Sequence, residues 1–195
     1  MSVPGNASIK PGPDFRPRFI DSARIILFMQ PLEPPDAHHL SAAEGWLGLG
    51  NLAEARAELD RIAPALQNHP DVLDVRWSLL AEEKDWPAAL ALARTRLQLA
   101  PKSAAGWLHQ AYALRRVPGG GLQAAWDALL PALDKFPRQA LVPYNLACYA
   151  CQMQQLDVAR IMIHRALKTG NEARVREMAL HDPDLRPLWD EIRGP

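Results

Sequence analysis

The chain has 195 residues, 48% of them hydrophobic, and its 22 Lys and Arg balance 22 Asp and Glu, leaving no formal net charge. This length suits one ordinary domain or one short solenoid, and a general nucleic-acid footprint would need the basic excess or stripe that is absent here. No apolar run approaches the roughly 20 residues of a bilayer-spanning helix, Ile25–Met29 is too short for a signal-peptide core, and two cysteines on one helix make no disulfide framework. The expectation is a soluble, cytoplasmic protein without membrane or nucleic-acid partners.

Seven of the 18 prolines fall within residues 1–35, where they remove backbone donors and restrict helical geometry, so Met1–Pro17 is expected to be mobile. Between prolines, Arg18–Gln30 places Phe19, Ala23, Ile26 and Leu27 on one helical face, with Asp21 as N-cap. Its β-branched content equally allows a strand, and so apolar a segment is expected to dock on the rest of the chain. Met29 offers an alternative start, with 1–28 then outside the native protein.

From Asp36 the pattern becomes helical. Asp36 follows Pro34–Pro35 as a helix cap, and Gly48, Gly50 and Asn51 turn the chain into a second helix whose Glu54, Arg56, Glu58, Asp60 and Arg61 form a solvated face. Pro70 and Asp71 start another pair, turned by Lys84–Pro87, with Pro87 suited to a first helical turn. A third pair carries the Gly-rich turn Val117–Gly121, which lacks the preceding strand and Gly-Lys-Ser/Thr ending of a phosphate cradle and is read as a loop insertion. In the fourth, Leu146, Ala147 and Ala150 share one helical face, and Leu156, Ala159, Ile163, Ala166 and Leu167 share another. Gly170–Asn171 ends that helix, Glu172–His181 begins the next, and Leu180, Leu185, Leu188 and Trp189 are expected to cover the apolar face of the last pair.

Ala55, Ala89, Ala125 and Ala159 recur at intervals of 34, 36 and 34 residues. With Ala43, Trp77, Ala111 and Ala147 in the preceding helices and Pro101 and Pro137 at two unit ends, this pattern resembles the tetratricopeptide repeat. The resemblance covers the larger part of the chain and implies an all-α helix-turn-helix solenoid of about four units, 36–69, 70–103, 104–139 and 140–173. Residues 1–35 would form a Pro-rich tail and 174–195 a C-terminal capping helix. Small residues are wanted where the two helices of a unit cross closely. Trp77 departs from that rule, so either its helix stands further from its partner or the register there is off by one.

The resemblance also implies a non-enzymatic module binding a protein or peptide, with no cofactor. First helices of such units line a concave surface, which here would bring together Leu40, Glu44 and Leu47, then Asp74, Ser78 and Ala81, then Leu108, Tyr112 and Arg115, and finally Leu141, Tyr144, Cys148 and Cys151. The occupant would be apolar at its centre, acidic toward Arg115 and basic toward Glu44, Asp74 and Glu82. The slots that clamp a terminal carboxylate in some family members hold Leu40, Glu44, Val75, Ala105 and His109, or Asp74, Ser78, His109, Leu141 and Asn145, and neither set is a clamp. From another class comes a small thiol or metal protein built on Cys148 and Cys151, although a zinc site commonly needs a second pair and a reactive dithiol a helix start after a strand. A structural subunit working through its convex face or capping end is a third reading. His38 and His39 point to different sides of a helix and make a weak metal pair. No Gly-x-Ser-x-Gly or His-Glu-x-x-His motif occurs.

Overall fold

The computed structural model of the chain describes residues 31–194, whose regular structure is helical, with no strand among them. The proline-dense tail and Arg18–Gln30 lie outside the described residues. The helices are α1 (Asp36–Gly48), α2 (Leu52–Arg61), α3 (Pro70–Glu82), α4 (Trp86–Leu99), α5 (Ala105–Leu114), α6 (Leu122–Leu129), the short α7 (Ala132–Lys135), α8 (Leu141–Gln152), α9 (Leu156–Thr169), α10 (Glu172–His181) and α11 (Trp189–Arg193). Two 3-10 segments, Pro64–Leu66 and Pro183–Leu188, interrupt them.

One turn recurs. After α1, Gly50 N–H donates to Leu47 C=O at 2.9 Å and Asn51 N–H to Trp46 C=O at 2.9 Å. After α3, Lys84 donates to Ala81 at 3.1 Å and Asp85 to Leu80 at 2.9 Å; after α8, Gln154 donates to Cys151 at 3.0 Å and Gln155 to Ala150 at 2.9 Å. The outer bond reaches back five residues and the middle residue takes a left-handed φ, +73° at Gly50, +60° at Lys84 and +63° at Gln154. This is the Schellman arrangement, which satisfies carbonyls left over at a helix end. After α5 the corresponding bond, Gly121 N–H to Leu114 C=O at 2.9 Å, spans two residues more, so the glycine-rich stretch is an insertion in the same turn. Gly120 has no substitute there, because a Cβ would sit 1.9 Å from the Leu114 carbonyl oxygen.

The helix starts follow side-chain chemistry. Asn51, Asp85 and Asn171 accept from the backbone N–H groups of Glu54 (3.3 Å), Ala88 (3.1 Å) and Arg174 (3.0 Å), as N-caps do. Asp36 does not cap. Pro35 occupies the cap position of α1, and the Asp36 carboxylate instead accepts from Ala63 N–H at 2.7 Å, tying the first helix to the end of α2.

Helices consecutive in sequence pack on one another: α1 on α2, α2 on α3, α3 on α4, α4 on α5, α5 on α6, and α8 on α9. The first helices of successive pairs also touch, α1 with α3, α3 with α5, and α5 with α8. The small residues of the recurring pattern lie in the core. Ala43, Ala55, Ala89, Ala111, Ala125, Ala147 and Ala159 are all fully buried. Trp77 stands twelve residues before Ala89, as Ala43 does before Ala55 and Ala147 before Ala159, with the same turn between. Its ring turns toward α5 and stacks on His109, centroids 4.0 Å apart and planes within 3°. The core consequently falls into layers: one between α1, α2 and α3, one around Trp77 on α3, α4 and α5, and a larger one from α5 to the C-terminus.

At that end α10 packs on α9, while Pro183–Leu188 turns back over α8. Leu185 and Leu188 are buried, and Leu180 and Trp189 are partly buried against the same layer. The Trp189 indole N–H donates to Ala179 C=O at 2.9 Å, fixing the fold-back to α10.

The alanine crossings give a direct test. Ala89→Leu should overpack the contact and cost ~1–3 kcal/mol, whereas Ala91→Leu, on the exposed side of α4, should stay within ~0.5 kcal/mol. Urea unfolding of the two variants measures the difference.

Candidate functional site

Stacking α1, α3 and α5 side by side leaves a concavity of about 510 Å³ between their inner faces. Glu44 and Leu47 come from α1, Asp71, Asp74, Val75 and Ser78 from α3, and Ala105 and His109 from α5. The helical period explains the set, because residues three and four apart share a face. Glu44, Leu47, Asp74 and Ser78 are thus brought together as expected residues of one groove. Val75, Ala105 and His109 stand in the sequence only at slots of a clamp that this chain lacks. Asp71, in line with Asp74 and Val75 at helical spacing, escapes the reading by repeat position altogether.

Charge is unevenly distributed there. Asp74 accepts from Arg96 of α4, Nε at 2.9 Å and Nη2 at 3.0 Å, and Arg96 is buried, so this pair is neutralised. Glu44 and Asp71 are exposed and give the concavity its negative rim. His109 lies 3.6 Å from Asp74 through Nδ1, yet burial pushes its pKa down to about 4, with Asp74 opposing the effect and Arg96 adding to it. At neutral pH the imidazole is a neutral stacking partner of Trp77 rather than a cation.

Beside the groove, Tyr112 is 37% exposed and held by aromatic neighbours, edge-on to Trp77 at 5.6 Å and tilted to Trp86 at 5.9 Å. The Arg116 guanidinium lies 3.5 Å from the centre of the Tyr112 ring and donates to Tyr112 C=O at 2.9 Å, closing the C-terminal end of α5. Ala81 packs against this layer, Leu40 against the first layer and Leu108 against the last, none of them lining the concavity. Leu141 is 40% exposed at the start of α8.

Tyr144, Cys148 and Cys151 do not face an open groove. They are 6%, 4% and 1% exposed, because the chain's own Asp182–Leu188 lies over α8. Asp182 Oδ2 accepts from the Tyr144 hydroxyl at 3.0 Å and from the Cys148 thiol at 3.5 Å. The Arg115 guanidinium holds Asp184 through both oxygens, Nη2 to Oδ1 at 2.9 Å, and the Gln152 amide donates to Asp184 C=O at 3.1 Å. The acidic residue expected opposite Arg115 is therefore supplied within the chain. Burial of Leu185 and Leu188 contributes ~1.5–3 kcal/mol each, against ~0–1 kcal/mol for a partly exposed ion pair. Leucines hold the segment down, and the carboxylates set its register.

Cys148, Asp182 and Asp184 offer ligand atoms within 4.8 Å of one another. The set is poorly suited to a cation, since Asp184 is already held by Arg115. Burial first, and the Asp182 carboxylate second, push the Cys148 thiol well above its ordinary range, and burial raises the pKa of Cys151. A protonated thiol donating to a carboxylate is the arrangement these groups favour, and a protonated thiol is neither nucleophile nor ligand.

Among the described residues no helix is long and apolar enough to cross a membrane. The chain matches no protein-family model and no curated protein.

These environments set two measurable properties. Native protein at pH 8 should react with a disulfide-exchange reagent at least about a hundred-fold more slowly than denatured protein, since both thiols need an opening event to be reached; stoichiometric reaction within seconds would place a reactive thiol here. For His109, the unfolded chain takes up a proton near pH 6.5 and the folded chain only near pH 4, so stability falls as pH drops through that window. His109→Phe keeps the stack without the proton site. In denaturant titrations at pH 7 and 4.5 it should reduce the loss of stability by on the order of 2 kcal/mol.

Proposed function

We propose that the protein is a non-enzymatic interaction module, a tetratricopeptide-like solenoid of about four helix pairs closed by its C-terminal helices. The regular spacing of the buried alanines, the recurrence of one Schellman turn at the same offset from them, and the contacts between successive first helices all support this reading. Its ligand is a protein segment laid along the first helices, and its working surface is the concavity between α1, α3 and α5.

The observation that carries the reading is the chemistry of that concavity. Its lining combines apolar Leu47, Val75 and Ala105 with the exposed carboxylates of Glu44 and Asp71, while Asp74 is already paired with Arg96. An extended segment with one Lys or Arg flanked by small apolar residues complements it. The cation meets two carboxylates at the rim, and the apolar neighbours cover the floor, in the pattern of a polar rim around an apolar centre.

Selection of random peptides on the immobilised protein tests this. Enriched sequences should carry a basic residue between apolar ones. Glu44→Lys together with Asp71→Lys should weaken them by at least about ten-fold, the loss of 1.4 kcal/mol in an equilibrium constant. Both positions are exposed, so helicity and Tm should stay near wild type. Peptides that bind the reversed variant as well as the wild type would overturn the assignment.

A further inference from the structure

The segment over α8 is more than a cover. Asp182 and Asp184 each engage side chains of α8 or of Arg115 at the end of α5: Tyr144, Cys148 and Arg115 donate to the two carboxylates, and Gln152 donates to the Asp184 carbonyl. A cover needs only its leucines. Here the polar contacts instead read out a sequence, a carboxylate, one spacer, a second carboxylate and a leucine, and they come from two successive first helices, one of which also lines the open concavity.

We infer that Asp182–Leu188 is a tethered ligand of this protein, occupying a second peptide site for which the free partner is an acidic segment of the form Asp-x-Asp-Leu. The inference rests on the reading of the chain as an interaction module and adds the partner's chemistry at a site distinct from the acidic concavity. Chemistry argues for exchange rather than mere burial. A partner with the same residues replaces the contacts to α8 and Arg115 one for one, so the strap resists through the local concentration its tether confers, of millimolar order for short links, and through its anchor on α10 at Trp189. The Arg115 guanidinium, raised further in basicity by its bonds to Asp184, keeps its charge under all ordinary conditions and demands an acidic occupant whether the strap is seated or displaced. The site is thereby selective against the basic segments that suit the concavity between α1, α3 and α5. The two ends of the inner surface would take ligands of opposite charge.

The test uses the full chain and a fluorescent peptide with the sequence of residues 181–189. Asp182→Asn with Asp184→Asn loosens the strap while leaving its leucines in place, and peptide affinity, read by anisotropy, should rise at least about ten-fold over wild type. Adding Arg115→Glu should abolish that gain, and a peptide with Arg in place of its second Asp should restore it. A folded double variant that binds the peptide no better than wild type overturns the inference. Should that variant not fold, hydrogen exchange of the wild type decides. The amides of Leu185 and Trp189 must exchange at least about ten-fold faster than those inside α8, through an opening of the strap alone; exchange at the α8 rate means the segment leaves only with global unfolding, and the idea falls. Failure here, with basic peptides still captured at Glu44 and Asp71, leaves the interaction-module reading intact. Loss of that capture with strap exchange intact separates the two in the other direction.

Discussion

Close approach of helices at buried alanines is the constraint on which the rest of this structure depends. Ala43 and Ala55 in the first pair, and Ala147 and Ala159 in the last, are fully buried and put nothing larger than a methyl group into the core at those positions. Each pair can then be crossed tightly, and the larger residues three and four positions away are pushed outward into the layers between pairs. Trp77 shows what a large residue does in such a place. It cannot enter the crossing, so its ring leaves toward α5 and becomes the floor on which His109 is stacked. The stacked ring covers one face of His109, whose burial depresses its pKa.

The same logic sorts the interactions at the C-terminal end by magnitude. Apolar burial of Leu185, Leu188 and Ile192 outweighs the partly exposed ion pairs around them. Polar contacts contribute direction. Without Tyr144, Cys148, Arg115 and Gln152, two leucines could seat in several registers on α8; with them, only one places both carboxylates.

How much of this is legible in the residues alone depends on the range of the interactions. Helix pairs, their turns and the alanine spacing are local, and the Gly-rich insertion is visible as two extra residues in a period. The caps at Asn51 and Asp85 are equally local. Asp36 misleads, because an acidic residue after two prolines looks like a cap while its partner, Ala63 N–H, lies at the far end of the next helix. For the groove, helical phase puts Glu44 with Leu47 and Asp74 with Ser78, and only the resemblance to the tetratricopeptide repeat places the two pairs together. Tyr144, Cys148 and Cys151 have the same phase and are nonetheless covered, since whether a face is open depends on where a segment 34 residues beyond Cys148 comes to rest. No periodicity carries that information. It is written in Asp182 and Asp184, which look like ordinary turn residues until Arg115 is beside them.

The insertion between α5 and α6 has a consequence for how the chain can be altered. Gly121 still bonds back to Leu114, so the geometry of the flanking helices is set from outside the extra residues. Pro118 and Gly119 sit exposed on that bulge, bearing none of the helix-to-helix load. This turn already holds additional chain while α6 keeps its place against α5. Among the turns of the described residues it is one open to being cut and rejoined, whether by a protease, a grafted epitope or new termini made by permutation.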